Sequence, residues 1–343
     1  MLKYLKPWIK PWIKLETGRI PWMAWEWWIM RAGLAWVMYP AISVRATWNQ
    51  QPEPVGIAQF MDLTWLESAA WTGPLLVAAT VMYVLGLMPL LSTFCLFALQ
   101  VMVSTLANSQ GGGGGAHHTT NIVALVLLGQ LLGISYHYMA AWRRGGLVRA
   151  WRAQWAWFPY LLRNRRAAAV TDPASPLEAD AFSLRSFQIN TMLQATAAAY
   201  VVSGISKLVR SGGAWLSEIG NIPLQFEKNR LNRVADVADP AAGAISDFAE
   251  RAGAWIGDHP SLAACFFGVG LFLELFAFMG IWNRRAALLF GLGIILMHSG
   301  ISMLMNLGFF YNKWIVALLW VNVPWWIYQG IQLIRRYVHP LHK

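Results

Sequence analysis

Apolar stretches long enough to cross a bilayer recur along this chain, and they constrain its fold more than any motif does. A transmembrane helix needs about 20 mostly apolar residues to span a hydrocarbon core roughly 30 Å thick. Eight segments meet or approach that length: Trp25–Val44, Trp71–Leu87, Met88–Ala107, Asn121–Trp142, Ile189–Leu208, Ser261–Ile281, Ala286–Asn306 and Trp314–Gly330. The second and third run nearly into one another, and Gly86-Leu87-Met88-Pro89 is the place to break them. Composition agrees with this reading. Of the 343 residues 57% are hydrophobic and only 13% charged, too few charges to cover a soluble surface. The 21 tryptophans suit a membrane interface, where the ring is buried while its N–H finds a partner. The expected fold is an all-α integral membrane protein, a bundle of about eight transmembrane helices with an amphipathic helix in a long outer loop.

The formal net charge is +11. In a soluble protein that surplus would point to nucleic acid, but here the basic residues flank the apolar runs, so no nucleic-acid partner is expected. Lys and Arg stay on the cytoplasmic side of a membrane. With eight spans, one side receives Lys3, Lys6, Lys10, Lys14 and Arg19, the loop from Arg143 to Arg166, the pair Arg284 and Arg285, and Arg335, Arg336 and Lys343. The short opposite loops are poor in basic residues: Arg45 faces Glu53, Asp62 and Glu67, and the last carries only Lys313. The long Ser211–Pro260 loop is mixed, with five basic residues counting Arg210 at its edge, and supports the assignment only weakly. Both termini are therefore expected in the cytoplasm of a cell with the chain in its inner or plasma membrane. No short apolar region followed by a small-residue cleavage site opens the chain, so the first span is expected to act as its own signal anchor. Cys95 and Cys265 both lie inside apolar runs and read as packing residues, and no Cys/His spacing suits a metal.

Three segments outside the spans carry their own signals. The head, 1–24, repeats Lys-Pro-Trp-Ile at Lys6–Ile9 and Lys10–Ile13 and reads as a basic, aromatic membrane-surface anchor. The outer loop, 211–260, sets Ile245, Phe248, Ala249, Ala252, Trp255 and Ile256 at helical spacing against Asp247, Glu250 and Arg251. That pattern predicts an amphipathic helix on the membrane face or capping the bundle. Gly111–Gly115 lacks the context of a phosphate loop and reads as a linker. A short basic tail, 331–343, follows the last span.

An ionisable group inside a membrane span is costly, so each is a candidate for function. Lys207 stands near the outer end of the fifth span. It is either a lysine snorkelling to headgroups or a partly desolvated base, since an amine among apolar side chains gives up its proton more readily than a solvated one. His117 and His118 precede the fourth span on the same side, either as solvated loop residues or as part of a site. His298 lies about 18 Å into the seventh span at about 1.5 Å per residue. Glu274 is similarly deep in the sixth and is either a paired structural carboxyl or a catalytic one, with His298 or Asn306 as possible partners. His137 shows no evident partner. Lys207, His117, His118 and His298 all map to the outer half of the bundle, where basic groups beside apolar walls suit a quinone-like or lipid-like molecule with a polar head.

The stretch Tyr200-Val-Val-Ser-Gly-Ile-Ser-Lys-Leu208, followed by Gly212-Gly-Ala-Trp215, resembles the tyrosine–small–Gly–x–x–Lys-Leu…Trp signature of vitamin K-dependent γ-carboxylases, which share a membrane module with the HTTM (horizontally transferred transmembrane) proteins. Met297-His298-Ser299 through Met305-Asn306-Leu307-Gly308-Phe309-Phe310 is similar to the family's histidine helix and its Gly–aromatic exit, and His117-His118 stands where the family has an asparagine–histidine stretch. The resemblance covers roughly 31–330 and implies an HTTM-like domain over 25–330. It implies a reduced, vitamin K-like quinone as cofactor, deprotonated by a lysine and oxidised by O₂ to an epoxide-forming alkoxide that drives carboxylation. By position Lys207 matches the base, His118 (or His117) a hydrogen-bonding histidine, and His298 a second pocket histidine. His117, Glu274, Asn306, Tyr200 and Trp215 fall where substrate would be held. The chain departs from the family in having Ser206 before Lys207 in place of a second lysine, and Val209-Arg210-Ser211 where acidic residues follow. It also lacks a counterpart of the carboxylases' large extramembrane β-rich region, so a protein substrate would need a separate partner. The competing expectation is a non-catalytic quinone-, pigment- or lipid-binding subunit of a larger membrane complex. A transporter ranks third, because no inverted repeat is evident.

Overall fold

The computed structural model of the chain describes residues 22–43, 53–110, 120–161, 176–224, 242–305 and 307–338. Among these residues every regular element is helical. In chain order the helices are α1 (Ala24–Ser43), α2 (Thr72–Leu85), α3 (Pro89–Ser109), α4 (Asn121–Leu161), α5 (Pro176–Arg210), α6 (Ala242–Asp258), α7 (Pro260–Leu275), α8 (Arg284–Met305), α9 (Phe310–Val316) and α10 (Val323–Val338), with short helical turns between some of them. Among the described residues five stretches are long and apolar enough to cross a membrane: Pro89–Ser109, Asn121–Ala156, Ser183–Arg210, Arg284–Leu304 and Phe310–Arg335. A sixth is formed if Glu250–Asp258 and Pro260–Leu275, bent by 111° at their junction, count as one. The chain is a helical protein with the spans of a multi-pass membrane protein. Of the other two expected spans, α1 has 20 residues but dilutes its apolar character with Glu26, Arg31 and four tryptophans, and α2 has only 14 residues.

The break expected between the second and third spans is present. Gly86 takes a left-handed conformation (φ 74°), and the Leu87 N–H donates back to the Met82 carbonyl, closing α2. Pro89 then opens α3, where a missing N–H costs nothing. A Cβ on Gly86 would come within 2.5 Å of the Trp27 ring, so the turn is also a packing point for α1.

Three sequence expectations need correction. The stretch after Trp142 is not a loop at its start: helix continues to Leu161 across a break at Gly145 and Gly146. Beyond that break Ala150 and Ala153 are buried while Leu147, Val148, Trp151 and Trp155 are exposed beside Arg149 and Arg152. The last span begins at Phe310, not Trp314, and contains a π-helical turn (Ala317–Val321) ending at Asn322 in the left-handed region, so Lys313 is helical and not a loop residue. The sixth span is regular only to Leu275, after which the chain tightens into a 3-10 turn, Ala277–Ile281. The amphipathic helix of the long loop does form as α6. Ile256 and Ala252 pack with Ile219, Ala263 and Leu304, while Ile245, Phe248 and Ala249 lie outside the residues whose side chains are described. The basic head up to Pro21, Gly111–Gly115, Arg163, Arg165, Arg166 and the tail from His339 also lie outside the described residues.

One apolar core, including Trp27, Leu34, Tyr83, Leu127, Ile189, Ile294 and Trp320, joins α1 to α5 and α8 to α9. Two buried polar networks run through it. Glu26, fully buried, receives both Arg284 Nη1 (2.6 Å) and Asn322 Nδ2 (2.9 Å), and the Arg284 guanidinium lies between the rings of Trp22 and Trp325. Arg31 donates to the Tyr83 carbonyl and to Gln188 (3.2 Å), while Gln130 bridges Tyr83 and Gln188. Such networks fix how helices register, because a polar group left unpaired in an apolar interior costs about 1–3 kcal/mol. The free cysteines Cys95 and Cys265 form no disulfide.

Candidate functional site

Tyr200, Ser203 and Lys207 fall at spacings of three and four along α5, which places them on one face of the helix. That face meets α7 at a point where α5 has no side chain. A Cβ on Gly204 would stand 3.0 Å from Leu275 Cδ2 and 3.2 Å from Glu274 Cβ, so glycine lets the two helices approach and brings Glu274 opposite Lys207. Lys207 Nζ lies 2.5 Å from Glu274 Oε2, and Ser203 Oγ donates to Glu274 Oε1 at 3.4 Å. The side chains differ in access. The Lys207 side chain is 31% exposed and that of Glu274 only 5%.

After Arg210 the chain turns through Ser211–Gly213, and the Gly213 N–H closes the helix on the Leu208 carbonyl. The turn carries Trp215 back over the end of α5, with its ring centroid 5.5 Å from Lys207 Nζ. A ring face at that distance attracts an ammonium group. Two turns further down α5, the Tyr200 hydroxyl is 3.0 Å from His298 Nε2, and Phe309 stacks on the imidazole at 4.3 Å between centroids. Tyr200 and His298 are both buried, and His298 Nδ1 and Asn312 Oδ1 have no hydrogen-bond partner among the described residues.

These groups share one cavity of about 750 Å³. Its polar residues include Lys207, Glu274, Ser203, Tyr200, His298 and Asn312, and the rest of its wall is largely apolar, with Trp215, Phe267, Leu273, Met297 and Phe309 among its members. The volume falls within the roughly 300–1,000 Å³ of small-molecule sites, which likewise combine apolar walls with a few placed polar groups.

Of the residues singled out in the sequence, Lys207, Glu274, His298, Tyr200 and Trp215 line this cavity together. His117, His118 and Asn306 lie outside the described residues. Two expected partnerships are corrected. Glu274 pairs with Lys207 and Ser203, leaving Tyr200 as the partner of His298. His137 is not without contacts: its ring nitrogens stand 3.2 Å from the Gly133 carbonyl and 3.0 Å from Ser183 Oγ. Sequence reasoning missed Ser203 and Asn312. Ser203 lay one turn before Lys207 and could have been found by helical spacing; Asn312 gave no signal in a stretch read as a loop.

Comparison with known proteins finds no family model, no curated protein and no solved structure that matches this chain.

Proposed function

We propose that this chain is an intramembrane enzyme acting on a quinol or another lipid-soluble molecule with a hydroxylated ring, with Lys207 as its base. The observation that carries the reading is the Lys207–Glu274 pair in the wall of a largely apolar cavity that also holds Tyr200 and His298. A surface ion pair needs no such setting. An ion pair in the wall of a largely apolar cavity is placed to pass a proton between its own members and a bound molecule.

The proposed step conserves its proton. Glu274 takes the proton from the Lys207 ammonium group, and the neutral amine then takes one from the ring hydroxyl, leaving a quinolate beside a protonated lysine. Tyr200 and His298, with the open positions on His298 Nδ1 and Asn312 Oδ1, hydrogen-bond the bound ring. The resemblance to vitamin K-dependent γ-carboxylases extends the proposal to oxidation of that quinolate by O₂ to an epoxide, coupled to carboxylation of a separate protein substrate. Eight spans in an inner or plasma membrane, with both termini in the cytoplasm, complete the picture and place Lys207 in the outer half.

The test is mass spectrometry of lipid-soluble molecules retained by the purified protein, followed by reduction and exposure to air. Wild type is expected to retain a quinone and convert its reduced form to the epoxide. Lys207→Ala is expected to retain the quinone and lose the conversion. Full conversion by Lys207→Ala would remove the base assignment. A second reading, a non-catalytic quinone-, pigment- or lipid-binding subunit of a larger complex, draws on the fact that Lys207 and Glu274 already satisfy one another. A retained pigment or phospholipid that does not depend on Lys207 would favour it.

A further inference from the structure

The wall of the cavity includes side chains that also lie on the outside of the bundle. Phe266 and Val269 on α7 and Leu296 on α8 all line it, yet they are 63%, 60% and 71% exposed. The polar groups Glu274, Tyr200 and His298 are buried. The cavity therefore runs from an open apolar rim to an enclosed polar end. We infer that it opens sideways into the bilayer between α7 and α8, and that this window holds the acyl or isoprenoid tail of a single-headed amphiphile whose head group reaches the Lys207–Glu274 end.

Depth supports a lipid-facing opening. Phe266 is six residues into α7 and Leu296 twelve into α8, about 9 and 18 Å along helices that rise about 1.5 Å per residue. Both positions fall within a hydrocarbon core roughly 30 Å thick, where bare apolar side chains meet acyl chains and not water. Small residues keep the window clear. A Cβ on Gly300, which lines the cavity, would meet nothing within 4 Å, and one on Gly270 would meet only the Met297 side chain at 3.4 Å. The amphipathic α6 joins α7 at a bend near a right angle, the arrangement that lays a helix along the membrane surface beside the window. An amphiphile can then slide in from the leaflet tail and ring together, without crossing water. The inference rests on the proposed site for its head group alone; the window stands on exposure and packing.

The test uses the full chain reconstituted in phosphatidylcholine vesicles that carry a diazirine at mid-chain on the acyl tail, with mass-spectrometric location of the adducts after photolysis. Adducts are expected on Met297 and Leu273 inside the cavity as well as on Leu289 and Leu292, which are exposed on α8. Gly300→Phe fills the open space and is expected to bring Met297 and Leu273 labelling to background while Leu289 labelling persists. Gly300→Ala is expected to label as wild type does. Labelling confined to Leu289 and Leu292 in wild type, or interior labelling unchanged by Gly300→Phe, would overturn the window. So would protection of Phe266 and Leu296, which would mean that a second copy or another chain covers it. Quinol turnover assayed on the same preparations separates the two proposals: interior labelling without turnover keeps the window and sinks the enzyme, and turnover without interior labelling does the reverse.

Discussion

The Tyr200 hydroxyl and His298 Nε2 pair with one another at the buried end of the cavity. Tyr200→Phe removes one partner and leaves His298 Nε2 buried and unpaired, a loss of about 1–3 kcal/mol. A lower midpoint of thermal unfolding in detergent is the expected result, with the Lys207–Glu274 contact intact. The larger effect belongs to Glu26. Its side chain is wholly buried against Arg284, and deleting one member of a buried pair costs about 3–5 kcal/mol because the other charge stays behind. Glu26→Ala is therefore expected to lower stability more than Tyr200→Phe does, read by the same melting assay. Lys207 was legible as a lone cation in an apolar run, and so was Glu274 as a lone carboxyl. Their pairing was not, since they are 67 residues apart and the contact depends on how two helices cross.

The helix crossing itself turns on a residue with no side chain. Gly204→Val would push α5 off Leu275 and Glu274, so Lys207 and its counter-ion would separate. The expected outcome is loss of quinol turnover with helix content unchanged by circular dichroism; a variant with wild-type turnover would show that the close approach is dispensable. Apolar periodicity disclosed most helices because burial and lipid contact both demand it. It failed where something other than hydropathy decides an element. The arginine-rich extension of α4 beyond Gly146 read as loop because charge was taken to end the helix, although residues that are apolar on one side and basic on the other suit an interfacial helix. The start of α9 was missed because Tyr311, Asn312 and Lys313 interrupt the apolar run while still forming helix.

For the molecule as a whole, the distribution of basic residues gives a testable topology. Green fluorescent protein fused after Lys343 is expected to fluoresce in cells, which it does only in the cytoplasm, while a fusion in the Ser211–Pro260 loop is expected to stay dark. The reverse pattern would invert the bundle and move Lys207 to the cytoplasmic half. The helical architecture of the described residues was readable from the length of the apolar runs. The site was readable only in part, because a cavity is a property of several helices at once and leaves no mark on any one of them.

The long reach of the Glu26 network has a consequence for how the protein is made. Glu26 is synthesised 258 residues before Arg284 and 296 before Asn322, an interval of roughly 13 to 60 seconds at about 5–20 residues per second. Arg31 waits 157 residues for Gln188. For most of translation the first helix carries a carboxylate that lacks Arg284 and Asn322, whereas the Arg31 guanidinium meets the Tyr83 carbonyl after only 52 residues. That helix must be sheltered by the insertion machinery or lie at the membrane surface until the ribosome has nearly finished. In a nascent chain arrested before Arg284 a cysteine placed in the first helix should react with an aqueous thiol reagent, and in one arrested after Asn322 it should be protected.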